Sequence, residues 1–196
     1  MKINSYKSIA LLGTSADPPT NGHQALLIGL CKLFPKVLTW ASNNPGKKHH
    51  QSLNQRLELL EALVKTLALP NLELKQSLSH KWAIKTLEKA SDYWPTKNLV
   101  LIIGSDLVKD IPTWCKAKDI FRKSHIGIVP RQGWPLKSAE LQTIEDMGGK
   151  SFLLPLKVPN TSSSEIKTQQ IFSQVPEAIL SIIKQKKLYG IRENKQ

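Results

Sequence analysis

The sequence predicts an α/β fold: a doubly wound, mostly parallel sheet with helices on both faces, formed as one domain over residues 1–196. Three observations predict it. Strand-like and helix-like segments alternate along the chain. The run Asn98-Leu99-Val100-Leu101-Ile102-Ile103 is apolar throughout, as a central parallel strand buried on both faces must be. A short apolar run near the start leads through a turn rich in Gly, Pro and hydroxyls into a helix, the connection at which open α/β sheets bind phosphates.

The elements follow in order. Residues 8–12 are apolar and read as the first strand, and 21–33 have helical periodicity. Residues 36–41 read as strand two, followed by a polar Gly/Pro-containing loop over 42–52. Residues 55–64 form an amphipathic helix, 71–75 alternate like a strand, and 82–90 are helical again. The central strand 98–103 comes next, then strands at 124–130 and 151–154, and a C-terminal helix over 177–187 that ends near Gly190. No repeat, low-complexity tract or linker interrupts the series. Right-handed crossovers then wind the sheet doubly, and ligands bind beyond the strand C-termini at the switch point.

Composition bounds the function. Two cysteines, Cys31 and Cys115, lack metal-site spacing and do not make a disulfide scaffold, which fits a reducing compartment. No apolar run approaches the ~20 residues that span a bilayer. Residues 1–7 lead into a strand without a signal-peptide pattern, so the cytoplasm is the expected compartment. The net charge of +13 suits a polyanionic partner. Its lysines are scattered and its aromatics form no stacking series, so a polyphosphate small molecule is expected rather than nucleic acid or membrane. A homo-oligomer is compatible with the sequence.

The N-terminal turn is the most informative segment: Leu12-Gly13-Thr14-Ser15-Ala16-Asp17-Pro18-Pro19-Thr20-Asn21-Gly22-His23. Gly13 and Gly22 lack a Cβ and let backbone approach a ligand. Pro18 and Pro19 set the approach to the helix. Thr20 or Asn21 is a candidate N-cap, and the helix start then faces an anion. Thr20 and His23 share one face of the first turn, so a hydroxyl and an imidazole can reach the same phosphate.

Other strand ends carry chemistry too. Asn44, Lys47, Lys48, His49 and His50 follow strand two, and Arg56 follows in the next helix. The cations suit a mononucleotide phosphate, although the loop also reads as a solvated charged one. The two adjacent histidines have poor spacing for a metal pair, and no protein-bound metal is expected. After the central strand come Gly104, Asp106 and Trp114. Asp106 reads either as a ribose-hydroxyl acceptor or as a helix cap. Trp114 reads either as a flat face for a heteroaromatic ring or as core. Late in the chain, Thr161-Ser162-Ser163-Ser164-Glu165-Ile166-Lys167 opens a helix. There Ser164 can cap, and amides with hydroxyls can hold a phosphate tail.

These motifs resemble the (H/T)xGH nucleotidyltransferase superfamily, and the stretch from Gly13 to Pro19 resembles the start of bacterial nicotinate-nucleotide adenylyltransferases; the Asn44-Pro45 loop with the adjacent Trp40-Ala41-Ser42 looks most like cyanobacterial-type members. Ala16 stands where that family usually has Phe, and Thr20 where it usually has His. The segment after the central strand resembles the family's Gly-x-Asp with a later Trp. Pro130-Arg131-Gln132-Gly133-Trp134 is similar to its Arg-Pro-Gly-Tyr, and Ser162-Ser163-Ser164-Glu165-Ile166-Lys167 to its Ser-Ser-Thr-x-Ile-Arg. Leu188-Tyr189 also fits its ending. Thr86 keeps one of two family threonines, while Ala83 replaces the other and Lys85 replaces an acidic residue.

The resemblance implies a Rossmann-like nucleotidyltransferase fold and transfer of AMP from ATP, bound with Mg²⁺, to nicotinate mononucleotide, giving deamido-NAD and pyrophosphate. It implies His23, Thr20 and Lys167 as catalytic residues. It places ATP on Gly13, Thr14, Ser15, Gly22, His23, Gly104, Asp106, Ser163, Ser164 and Lys167. It places the acceptor on Asn44, Lys47, Lys48, Thr86, Trp114 and Arg131. The alternatives are a phosphopantetheine or nicotinamide-mononucleotide adenylyltransferase, or a nucleotide binder that has lost catalysis.

Overall fold

Strand β1 (Ser8–Thr14) is apolar on both sides because both sides are covered. Ile9 and Leu11 enter one core cluster, and Ala10 and Leu12 enter the other. The computed structural model describes residues 8–44, 46–95, 98–159, 161, 163–169 and 171–191. The lead-in 1–7, Pro45 of the loop after strand two and Ser162 of the hydroxyl run lie outside the described residues.

The elements after β1 are α1 (Asn21–Leu33), β2 (Lys36–Ala41), α2 (Leu53–Leu67), β3 (Leu72–Leu74), α3 (Ala83–Tyr93) and β4 (Asn98–Gly104). Then come α4 (Ala117–Lys123), β5 (His125–Val129), α5 (Ser138–Asp146), β6 (Ser151–Leu153), α6 (Ser163–Gln169) and α7 (Glu177–Gln185). The strands form one sheet in the order β3-β2-β1-β4-β5-β6, and every ladder in it is parallel. The chain builds outward from β1 to β3, then returns to place β4 against β1 and builds the other way. That reversal leaves a crevice beyond the C-terminal ends of β1 and β4.

Two layers of helices cover the sheet. On one face Leu27, Leu30, Leu59, Leu60, Leu63, Ile179 and Ile183, from α1, α2 and α7, pack on Ala10, Val37, Val100 and Ile102. On the other, Ile84 and Leu87 of α3, Ile120 and Phe121 of α4 and Ile144 of α5 pack on Leu38, Leu101, Ile126 and Ile128. Burial of this kind stabilises by about 1.5–3 kcal/mol per large apolar side chain.

Boundaries shifted where capping or pairing extends an element. β1 runs two residues beyond the expected 8–12 because Gly13 and Thr14 still pair with Trp40 and Ala41. α2 starts at Leu53 because Ser52 caps it: Ser52 Oγ accepts from the Gln55 amide at 3.3 Å, and Gln55 Oε1 accepts from the Ser52 amide at 3.2 Å. α7 stops at Gln185, two residues short of the expected end. Helices α4 and α5 were not expected. The first has seven residues, and the second buries only Ile144, so neither has a strong period of its own. The described helices are longer than 18 residues nowhere, and none is apolar enough to cross a membrane.

Candidate active site

Thr20 caps α1 and locks His23. Thr20 Oγ1 accepts from the His23 amide at 3.3 Å, and its own amide donates to His23 Nδ1 at 3.1 Å. The two side chains also meet directly, Oγ1 to Nδ1, at 2.8 Å. This is a reciprocal capping box with imidazole in place of the usual Glu. An amide can only donate, so Nδ1 must accept, and the neutral ring carries its proton on Nε2. Burial, with the positive fields of Arg131 and Lys47, pushes His23 down to about 4. His23 is therefore a neutral Nε2–H donor at physiological pH.

The same observation shows what converges here. Lys47 comes from the loop after β2, and Arg131 from the segment after β5. Both act electrostatically on a histidine in the first turn of α1. Arg131 Nη1 lies 3.0 Å from Asp106 Oδ2, and the Arg131 amide donates to Ser105 Oγ at 3.0 Å. Asp106 Oδ1 is buried and has no hydrogen-bond partner among the described residues. That leaves acceptor capacity at the end of β4, beside a cavity of about 290 Å³ lined by Lys109, Trp134, Lys137 and Glu140 among others. Asp106 lies inside the one-turn 3₁₀ helix Ser105–Leu107, whose N-cap is Gly104.

Several expected residues have other duties. The site of a Cβ on Gly13 is taken by the Trp40 indole, 2.9 Å away, so cross-strand packing requires this glycine. Gly22 has Thr161 and Pro159 against it, and its amide donates to Thr161 Oγ1 at 3.0 Å. Thr161 Oγ1 also shares a hydrogen bond with Thr20 Oγ1 at 2.9 Å. A residue absent from the sequence-based set therefore secures the catalytic candidate. Gly104 lets Asp106 and Arg131 fold over the end of β4. Thr14 and Ser15 contribute carbonyls, to the Ser42 amide at 2.7 Å and to Arg56 Nη1 at 2.7 Å.

Thr86 corrects an expectation. It is 3% exposed, and its hydroxyl donates to the Leu78 carbonyl at 2.8 Å, so it anchors α3 instead of facing an acceptor. Arg56 is a second correction. It is 2% exposed and donates to Ser15, Ser42 and Gln51 carbonyls, so it clasps two loops and offers no phosphate contact. Ser164 is a third: α6 starts at Ser163, which puts Ser164 in the first turn, exposed, and not at the cap. Ser163 Oγ donates to the Pro18 carbonyl at 2.8 Å, tying α6 to the N-terminal turn. Lys167 Nζ lies 3.3 Å from Asp17 Oδ2, largely buried. Asn44 Oδ1 accepts from the Gly46 amide at 2.8 Å, and Lys47 and Lys48 are exposed. Trp114 is half-buried and packs on the core, as one of its two sequence readings had it.

Another cavity, of about 270 Å³, opens at the N-terminal ends of β4 and β5 beside Asn98, Arg122, Lys123, His125 and Lys150. Helices α4 and α5 both end there, and cations suit the negative ends of helices. It lies away from Thr20 and His23, which follow the C-terminal end of β1. Among the described residues, no group of three or more His, Cys, Asp or Glu is placed to hold a metal ion. Cys31 is a half-buried packing residue of α1, its thiol pushed up to about 11 by burial.

A parallel sheet in this order, with a capped Thr-x-Gly-His turn at its switch point, defines a nucleotidyltransferase-like site. The cytidylyltransferase-like family model matches residues 11–169. The chain is 31% identical to the probable nicotinate-nucleotide adenylyltransferase of Synechocystis sp., over 92% of this chain and 98% of that one. It is 26% identical to the probable nicotinate-nucleotide adenylyltransferase of Rhodopirellula baltica, over 96% of both. Among solved structures, Plasmodium falciparum nicotinic acid mononucleotide adenylyltransferase complexed with NaAD matches with a TM-score of 0.79 at 19% identity, covering 95% of this chain and 99% of that one. At that identity the likeness speaks for the fold. The chain belongs to the cytidylyltransferase-like family and, within it, to the nicotinate-nucleotide adenylyltransferases.

Proposed function

We propose that the protein transfers the adenylyl group of Mg-ATP to nicotinate mononucleotide, releasing pyrophosphate and forming deamido-NAD. The observation that carries this is the Thr20–His23 capping box at the β1 end, which engages Nδ1 and leaves His23 a neutral Nε2–H donor. The similarity to nicotinate-nucleotide adenylyltransferases supports the choice of acceptor.

In this reading the acceptor's 5′-phosphate oxygen attacks the α-phosphorus of ATP. The bond from that phosphorus to the bridging oxygen of the β-phosphate breaks, and pyrophosphate carries the electron pair away. The attacking group is already an anion, so no side-chain nucleophile or strong base is required. The protein's task is to align two polyanions and to stabilise charge on the phosphoryl oxygens. His23 donates to the α-phosphate, and Thr20 holds its ring. Asp106 takes ribose hydroxyls on its unpartnered oxygen. Lys47, Lys48 and Arg131 offset the acceptor's charge, and Ser163, Ser164 and Lys167 lie toward the triphosphate end. Mg²⁺ enters as part of the substrate, since this ion is held largely by phosphates and water.

The test is pyrophosphate release from Mg-ATP with nicotinate mononucleotide, nicotinamide mononucleotide and phosphopantetheine in parallel. Release with the nicotinate form supports the reading. Release only with another acceptor replaces it, and ATP binding without any release favours a lapsed nucleotide binder.

A further inference from the structure

We infer that Tyr189 is a positioning residue for the transfer step, acting through Asp17 to keep the donor-side turn and the acceptor-side loop in register. The inference rests on the adenylyl-transfer reading above. Asp17 is 2% exposed and lies three residues before Thr20. Its carboxylate accepts from the His50 amide at 2.8 Å, the Gln51 amide at 3.3 Å, Lys167 Nζ at 3.3 Å and Tyr189 Oη at 2.9 Å. His49 Nδ1 stands 3.9 Å away. One carboxylate therefore joins four parts of the chain: the turn after β1, the loop after β2, helix α6 and the C-terminal turn.

Two of those parts carry opposite halves of the chemistry. The turn after β1 leads into Thr20, the cap of α1, and His23 in the first turn of that helix. The loop after β2 holds Lys47 and Lys48 immediately before the residues bound to Asp17. Arg56 completes the ring by donating to the Ser15 and Gln51 carbonyls, on either side of the same junction. A shift of the Asp17 carboxylate moves the two halves relative to each other, and small misalignments are costly in a reaction whose catalysis is mostly alignment.

Tyr189 reaches this place at a conformational cost. It is 8% exposed with φ of 57°, and its neighbours Lys187 and Gly190 also have positive φ, of 51° and 69°. A non-glycine residue held in the left-handed region marks a position that the surroundings over-determine. The tight 3₁₀ turn Leu188–Gly190 thus delivers one hydroxyl to a carboxylate 172 positions earlier. Without that hydroxyl, Asp17 Oδ1 keeps, among the described residues, the longer bond from the Gln51 amide.

The groups facing Asp17 are Lys167, His49, Arg56 and Tyr189. Burial opposes its ionisation, yet the His50 amide, the Tyr189 hydroxyl and Lys167 together hold its carboxyl below the usual range. Removing a donor to the ionised form raises that pKa.

The test compares the full chain with Tyr189→Phe, which keeps the buried ring and removes only the hydroxyl. Lys186→Gln, which breaks an exposed ion pair between α7's end and Glu58 of α2, serves as a control on the same segment. For Tyr189→Phe, kcat falls about tenfold or more, the Kd for Mg-ATP stays within about twofold, and the acid limb of kcat moves to higher pH. Lys186→Gln keeps all three. An unchanged kcat and acid limb in Tyr189→Phe overturns the inference, and so does a loss of activity fully accounted for by loss of folded protein. Amide hydrogen exchange at His50 and Gln51 needs no substrate. Faster exchange in Tyr189→Phe supports the coupling and identical exchange overturns it, even if the wild type proves to use a different acceptor or none.

Discussion

His23 works through one nitrogen, and its pH behaviour follows from that. Its Nδ1 is engaged by Thr20, and burial with the fields of Arg131 and Lys47 pushes it down to about 4. The unfolded chain, near 6.5, binds the extra proton first. Stability from this residue is therefore complete above about pH 6.5 and is lost as pH falls from there toward 4. Urea titrations at pH 7.5 and 5 should show a lower midpoint at pH 5, and His23→Gln should remove part of that drop. An identical drop in the variant would assign it to other groups. His23→Ala should lower kcat by about a hundredfold or more, the scale of one lost transition-state donor, with the fold intact by circular dichroism. The sequence placed Thr20 and His23 on one face of the first turn and left the cap between Thr20 and Asn21; the structure chooses Thr20 and bonds the pair to each other. The duties of Gly13, Thr86 and Arg56 were not legible. Trp40, Leu78 and the Ser15 and Ser42 carbonyls, which decide those duties, are brought in by the fold.

At the scale of elements, loops depend on buried polar clasps as much as helices depend on apolar faces. Arg56 satisfies three carbonyls with its side chain buried. Arg56→Leu strips those acceptors of their donors and should cost about 3 kcal/mol or more in equilibrium unfolding. A cost below about 1 kcal/mol would mean that water replaces the guanidinium. Leu60→Ala, at a fully buried α2 position, should cost about 2–5 kcal/mol. β2 and α1 begin and end where the sequence predicts, since apolar runs and a capping Thr bound them sharply. Helices α4 and α5 escaped because short, polar segments draw their helicity from the sheet they cover. The Asp17 hub escaped for another reason: its partners lie 33 to 172 positions away, and a lone Asp in a Pro-rich turn carries no sign of them.

The whole molecule is a positively charged platform for two polyanions. A net charge of +13 should attract both substrates over distance, while the capped turn acts at contact range. Raising salt from about 0.05 to 0.5 M, where screening is strong, should raise the KM of Mg-ATP and of the acceptor much more than it lowers kcat. A fall in kcat at constant KM would contradict that division of labour. The sheet order and its crevice follow from strand–helix alternation and the return from β3 to β4, which the sequence pattern implied only in outline. Near α3, Thr86 is turned inward and Ala83 has no hydroxyl, so the two threonine contacts that the resemblance implied do not name the acceptor. The most direct measurement is therefore pyrophosphate release from Mg-ATP with each of the three acceptors. The account predicts release with nicotinate mononucleotide, and its loss in His23→Ala. Binding of ATP without release from any acceptor, or turnover that survives His23→Ala, would contradict it.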